Sequence, residues 1–443
     1  MKSVGAGRRG GRVPYQFGMP ALSLYFPYRE GSKPFLCILF IFNDKLTPEI
    51  KIIGFRAKFL LNNDAAYSII GLTLNMNSIK AVHCMKALVF YGVGDIRFEA
   101  DWPEPKAPRE GEVTIETLWC GICGTDIEDY RYGGVIPVDH PHPISGRMAP
   151  LVLGHEYVGR VAAMGEGVAG LRIGQPVAIE CVRACGKCHW CQKQQFAQCE
   201  NMVSIGQQDD GGMAEFFNVP AENCIPIPEG DSAPYALAEP MAVMIRAMRK
   251  GRVRLGDTVA VVGAGAIGLC GIAAASIAGA ERVISVNHGG PRAEAAKKLG
   301  ATHSFDSREE GWMEGFLELT DGLKADAVID TGGNIPAMRL AYDLTGRGGR
   351  CVIASVVNQD ICLPSLDILL NEREVIGAVA HSHLEEYKWA VQYIADGRFD
   401  PSPLITGRIA LEDALERGIR KSIEDRSQIK ILVTPRRELL SAE

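Results

Sequence analysis

The chain has 443 residues, 47% of them hydrophobic and 23% charged, enough for two or three domains with real cores; a peptide, a collagen-like rod and a wholly disordered chain are excluded. Its net charge of −6 is uneven: residues 1–84 hold 11 Lys or Arg against 4 Asp or Glu, so the remaining 359 carry −13. An acidic body argues against a nucleic-acid partner, which needs a basic face. The longest apolar run, Phe35 to Phe42, is about half the roughly 18 residues a membrane span requires.

In chain order, residues 1–84 show neither helical nor strand periodicity over long windows. Arg8-Arg9 is reminiscent of a twin-arginine signal, but Pro20, Pro27 and scattered charges break the stretch that follows. The basic, acid-poor start is either an organelle address or an idiosyncratic beginning, and the functional unit is expected from Met85. Met85 to Phe90 is a short apolar strand ended by Gly92 and Gly94, and Val113 to Trp119 alternates as a half-buried strand does. Short strands and Gly-Pro turns continue to about Pro234, which suggests a β-rich domain.

From about Leu237 to Val375 strands alternate with helices. Strands are expected at Thr258 to Val262, Arg282 to Val286, Ala327 to Asp330 and Arg350 to Ala354. Helices are expected at Ala266 to Ala278, Pro291 to Leu299 and Ile335 to Leu344. Such alternation means a parallel sheet with helices on both faces. The tail, with a helix at Glu385 to Ala395 and a strand at Ile429 to Val433, is too short to stand alone and is expected to pack back on the first domain. The organisation is therefore α/β: an atypical extension (1–84), a β-rich domain (85–236), a doubly wound domain (237–376) and a return segment (377–443).

Three constellations carry chemistry. Thirteen cysteines are an odd number for a disulfide framework, and Cys185, Cys188, Cys191 and Cys199 crowd into one loop. Four thiolates at that spacing suit a closed tetrahedral zinc, which stiffens a loop that has little apolar packing of its own. Val259 to Val262 runs straight into Gly263-Ala264-Gly265-Ala266-Ile267-Gly268 and then a small-residue helix. The first glycine permits the turn, the second lets backbone approach a pyrophosphate, and the third lets helix pack on strand. Gly263, Gly265, Ile267 and Gly268 are thus expected to contact a dinucleotide. The next strand ends at Asn287, where an acidic residue would repel a 2′-phosphate; His288 and Arg292 lie close enough in sequence to meet one, so NAD against NADP stays open. Finally, Cys123 follows a strand, His155-Glu156 lies 32 residues on, and Glu239 sits in Ala238-Glu239-Pro240. Beside a redox-cofactor fingerprint, this thiolate, imidazole and carboxylate set is that of an open catalytic zinc.

In order, Gly-Ile-Cys123-Gly-Thr125-Asp, Gly-His155-Glu156, the four-cysteine lobe, Glu239-Pro240, the glycine fingerprint and Ile429 to Val433 resemble the zinc-dependent medium-chain dehydrogenases over about Met85 to Pro435. Glu239-Pro240-Met241 and His142-Pro143-Ile144-Ser145-Gly146 are most similar to the polyol branch, the 2,3-butanediol dehydrogenases in particular. The resemblance implies a GroES-like catalytic domain and a Rossmann domain, two zinc ions per chain and NAD or NADP. It implies that Cys123, His155 and Glu156 surround the catalytic zinc, that Glu239 ligates it directly or through water, and that Thr125 passes on the substrate proton. In place of the family's usual relay histidine stands Glu128; Glu128, another group or water then completes the relay. The implied reaction is hydride transfer between NAD(P) and a secondary alcohol or vicinal diol of the butanediol/acetoin type. Threonine or sorbitol oxidation, or a non-catalytic NAD(P)-binding relative, are the alternatives. A small-molecule substrate, no nucleic-acid or membrane partner, a homodimer or homotetramer and a cytoplasmic location complete the expectation.

Overall fold

The computed structural model describes residues 83–441 except His383, with the backbone of four short strands between residues 37 and 73. The chain divides into two compact units, Met1–His83 and Cys84–Glu443. In the first, Cys37–Phe42 pairs antiparallel with Pro48–Ile53, and Ser68–Ile69 with Leu72–Thr73. The first of these strands is a continuous apolar run, so a search for alternation passes over it.

The second unit is built on two large sheets. The first has seven strands. Its path runs Cys224–Pro226, Pro176–Ile179, Glu156–Met164, Glu112–Gly121, Lys430–Thr434 and Ile405–Ala410, and Phe216–Pro220 also pairs with Glu112–Gly121. Along Glu112–Gly121 burial alternates at first, with Val113 and Ile115 inside, and becomes complete from Leu118 onward. The strand thus starts at the surface and ends in the core. The C-terminal strand Lys430–Thr434 pairs antiparallel with it, Leu432 opposite Gly121 and Val433 opposite Cys120.

The second sheet has six parallel strands in the order His303–Asp306, Arg282–Asn287, Thr258–Val262, Ala325–Asp330, Thr345–Ile353 and Glu374–Gly377. The central strand Thr258–Val262 is buried along its whole length, as helices on both faces require. Strand order reverses between it and Ala325–Asp330, which opens a crevice at their carboxyl ends, where ligands of such sheets bind. Gly268 and Gly271 keep the helix Ala266–Ile277 thin enough to lie close on this sheet.

Sequence periodicity does not reveal the two edge strands, His303–Asp306 and Glu374–Gly377. Their residues are half-buried or exposed, so no apolar pattern marks them. The helix Ala238–Lys250 also escapes that reading, although Glu239 was singled out; Pro240 is tolerated in its first turn, where no intrahelical N–H bond is lost.

Candidate active site

The strand Glu112–Gly121 delivers Ile122 and then Cys123, which begins the helix Gly124–Arg131. The Cys123 N–H donates to Asp126 Oδ2 at 2.9 Å, fixing this corner. Its antiparallel neighbour starts at Glu156, directly opposite Gly121, so register alone sets His155-Glu156 beside Cys123. The ligand atoms of Cys123, His155 and Glu156 lie within 4.8 Å of one another. A Cβ on Gly121 would collide with the Glu156 carboxylate, so the glycine makes room for it. Thr125 Oγ1 lies 3.6 Å from Cys123 Sγ.

Further buried charges surround this cluster. Asp126 Oδ1 stands 3.7 Å from His155 Nδ1, with both side chains buried; such a carboxylate orients a ligating imidazole. Burial pushes Asp126 up to about 6. Lys430 Nζ donates to both Glu156 oxygens, at 2.7 and 2.5 Å, and to the Ile122 carbonyl at 2.9 Å. Burial would lower the pKa of this lysine, but the Glu156 carboxylate outweighs it and holds it above its ordinary value. Glu239 is buried at the start of the helix Ala238–Lys250 but stands outside the three-residue cluster, its Oε1 3.5 Å from His381 Nε2. Glu128, one turn beyond Thr125, is exposed on the same helix.

In the loop 185–199, the Sγ atoms of Cys185 and Cys188 lie 3.9 and 3.6 Å from that of Cys191. Zinc–sulfur bonds of about 2.3 Å at tetrahedral angles leave sulfurs about 3.8 Å apart. Backbone N–H groups of Cys185 and Cys188 point at Cys199 and Cys185 sulfurs. Hydrogen bonds from the backbone at Cys191 and Glu200 lower Cys188 to about 6, which favours the thiolate a metal needs.

At the crevice of the parallel sheet, Gly263 has φ +101°, a left-handed conformation that glycine adopts freely, and the helix starts just after Gly265. A Cβ on Gly268 would collide with the Gly263 carbonyl, whereas one on Gly265 would meet nothing within 4 Å. That open space at a helix N-terminus fits a pyrophosphate. Ile267 is half-buried in the helix's first turn. Asn287 ends its strand, as expected, but its side chain is anchored: the amide donates to Ser285 and Ser304 hydroxyls at 2.8 and 2.9 Å and accepts from Gly289 N–H at 2.6 Å. Arg292, read as a phosphate partner, donates to the Gln428 carbonyl at 2.8 Å, because the return segment passes beside it. Asp306, on the neighbouring strand, lies against Gly289 and is paired with Arg308 at 2.6 Å.

Residues 109–229 match the alcohol dehydrogenase GroES-like domain, and residues 266–396 match the zinc-binding dehydrogenase family. The chain is 34% identical over 354 residues to the (R,R)-butanediol dehydrogenase of Bacillus subtilis strain 168, covering 79% of this chain and 100% of the relative. A crystal structure of 2R,3R-butanediol dehydrogenase from Bacillus subtilis superposes with a TM-score of 0.73 at 33% identity, over 80% of this chain and 100% of that one. A protein of Sinorhizobium meliloti 1021, described as a zinc-binding dehydrogenase bound to NADP, also has a TM-score of 0.73, at 28% identity over 80% of this chain and 100% of its own. The chain belongs to the zinc-binding dehydrogenase family.

It is therefore an oxidoreductase that uses zinc and NAD or NADP on a small-molecule alcohol, with a GroES-like part and a Rossmann-type parallel sheet. Among the described residues no helix is long and apolar enough to cross a membrane. The sequence reading of this dehydrogenase missed Asp126, Lys430 and His381, the partners of His155, Glu156 and Glu239. A signal existed for one of them: Lys430 is a lone charge in the apolar run Ile429-Lys430-Ile431-Leu432-Val433 and so needs a buried partner.

Proposed function

We propose that the enzyme transfers a hydride between NAD(P) and a secondary alcohol or vicinal diol of the 2,3-butanediol/acetoin type. The observation that carries this reading is the buried Cys123–His155–Glu156 cluster, a donor set that fits zinc. The butanediol relatives support the choice of substrate. Zinc, when bound there, supplies Lewis-acid polarisation of the substrate hydroxyl, and the nicotinamide is the hydride partner. Thr125 takes the hydroxyl proton through a hydrogen bond and passes it toward solvent, where exposed Glu128 or water receives it. Asp126 holds the His155 ring in one orientation. Lys430 restrains Glu156 and balances its charge in the buried interior.

Gly263, Gly265, Ile267 and Gly268 cradle the dinucleotide, and Cys185, Cys188, Cys191 and Cys199 hold a second, structural zinc. In the same reading, residues 85–236 with 377–443 form the catalytic part and 237–376 the cofactor part. Residues 1–84 lie outside the catalytic unit, and the enzyme is a cytoplasmic homo-oligomer. Initial rates with butanediol, acetoin, sorbitol and threonine against both cofactors test it: the diol and acetoin should give the highest kcat/KM. Turnover of sorbitol or threonine alone would overturn the assignment.

Two further outcomes are expected. Dialysis against a chelator should abolish activity while the circular dichroism spectrum stays that of the folded protein, with the thermal midpoint lowered by the loss of bound metal. The three-ligand site is open to exchange, whereas the four-thiolate site is closed. Asn287→Asp should raise the NAD to NADP ratio of kcat/KM by roughly 10-fold. The carboxylate keeps the acceptor for Gly289 N–H, and the Ser285 and Ser304 hydroxyls can turn to donate, so the change adds a charge without unpairing the anchor. Steady-state kinetics with both cofactors on wild type and variant check this.

A further inference from the structure

The strand Pro176–Ile179 of the seven-stranded sheet runs into Glu180 and Cys181, and the segment after the last parallel strand, Glu374–Gly377, carries His381. These three side chains meet in the interior: Glu180 and His381 are 0% exposed and Cys181 2%. Their ligand atoms lie within 4.8 Å of one another. Glu180 is held in place, its Oε1 accepting from Val182 N–H at 2.8 Å and its Oε2 from Leu384 N–H at 3.4 Å.

His381 is the unusual member. Its Nδ1 lies 3.2 Å from Glu180 Oε2 and its Nε2 3.5 Å from Glu239 Oε1, yet neither ring nitrogen makes a well-directed hydrogen bond. A buried imidazole with both nitrogens unsatisfied is costly, and so are two buried carboxylates whose ion pairs, among the described residues, run only to that ring. A cation between them removes both costs. Two zinc ligands with bonds of about 2.0–2.1 Å at a near-tetrahedral angle sit about 3.3 Å apart, close to the Nδ1 to Glu180 spacing.

The geometry points to a third metal site, in which Glu180, Cys181 and His381 Nδ1 bind a zinc-class divalent cation. Thiolate, imidazole and carboxylate together select zinc over magnesium or calcium, which take oxygen ligands. With Nδ1 on the metal, the Nε2 proton faces Glu239, so the ion orients that carboxylate through the ring. It also ties the end of a strand in one sheet to the segment leaving the other. This site shares no ligand with the Cys123 cluster or the four-cysteine loop.

Zinc content per chain tests it, measured by mass spectrometry after reconstitution of the full chain with zinc and exhaustive dialysis without chelator. Wild type should hold three ions, and Cys181→Ser and His381→Ala two each. Two ions in wild type, with no further loss in Cys181→Ser, would overturn the site. Cys123→Ser separates this from the catalytic reading: it should lower the count by one in its own right, and the double variant Cys123→Ser/Cys181→Ser should hold one. If Cys123→Ser alone leaves the count unchanged, the catalytic-zinc assignment fails while a drop in Cys181→Ser still supports the third site. Should a variant not fold, cadmium NMR on the reconstituted wild type decides. Three resonances, one of them at the four-sulfur shift, support the site, and two in cadmium protein that still turns over substrate overturn it.

Discussion

Replacing Lys430 with methionine is expected to destabilise protein freed of its exchangeable metal by about 3–5 kcal/mol, the usual cost of stripping one partner from a buried ion pair. Glu156 is 0% and Lys430 3% exposed, so neither charge has water to fall back on. Methionine keeps the length and most of the volume, which confines the change to charge and hydrogen bonding. Three interactions vanish together, two to the Glu156 oxygens and one to the Ile122 carbonyl. Adding Glu156→Gln should recover much of the loss, since no unpaired charge then remains. Denaturant midpoints of wild type, the two single variants and the double variant form the cycle. A Lys430→Met variant within about 0.5 kcal/mol of wild type would mean that the pair contributes nothing measurable.

The fingerprint glycines should separate stability from cofactor binding. In Gly268→Ala the new methyl meets the Gly263 carbonyl, which is backbone and cannot step aside without moving the strand–helix turn. A loss of about 1–3 kcal/mol is expected, as for other overpacked sites, with weakened dinucleotide binding following from the displaced turn. Gly265→Ala is the contrast. Its methyl has nothing within 4 Å and its φ of −74° suits any residue, so the thermal midpoint should not change. Yet the methyl enters the space where a pyrophosphate must approach the backbone, and dinucleotide Kd should rise roughly 10-fold or more, about 1.4 kcal/mol. Fluorescence titration with NADH and NADPH, beside thermal melts, reads both quantities. Equal melts and equal affinities in Gly265→Ala would show that the cofactor lies elsewhere.

What the sequence determined by itself is local. The turn at Gly263 to Gly268 and the four-cysteine loop are each written in one short string, because a tight turn and a loop-borne metal need residues only a few positions apart. The buried central strands were legible for a related reason: two covered faces demand an unbroken apolar run, as in Val259 to Val262. Cys123 and His155-Glu156 stood out by their family context, but that they converge depends on the register that sets Gly121 opposite Glu156.

Only the tertiary structure decided which charges lie behind them. Lys430 reaches Glu156 across 274 positions because the last strand returns to pair with Glu112–Gly121. His381 comes to Glu180 across 201 positions because the segment after the last parallel strand passes the other sheet. The same long-range packing brings Arg292 to the Gln428 carbonyl, a partner 136 positions away that its place in the sequence does not suggest. A buried charge takes whichever partner the fold brings within a few ångströms, and nothing in the spacing of the chain encodes that choice.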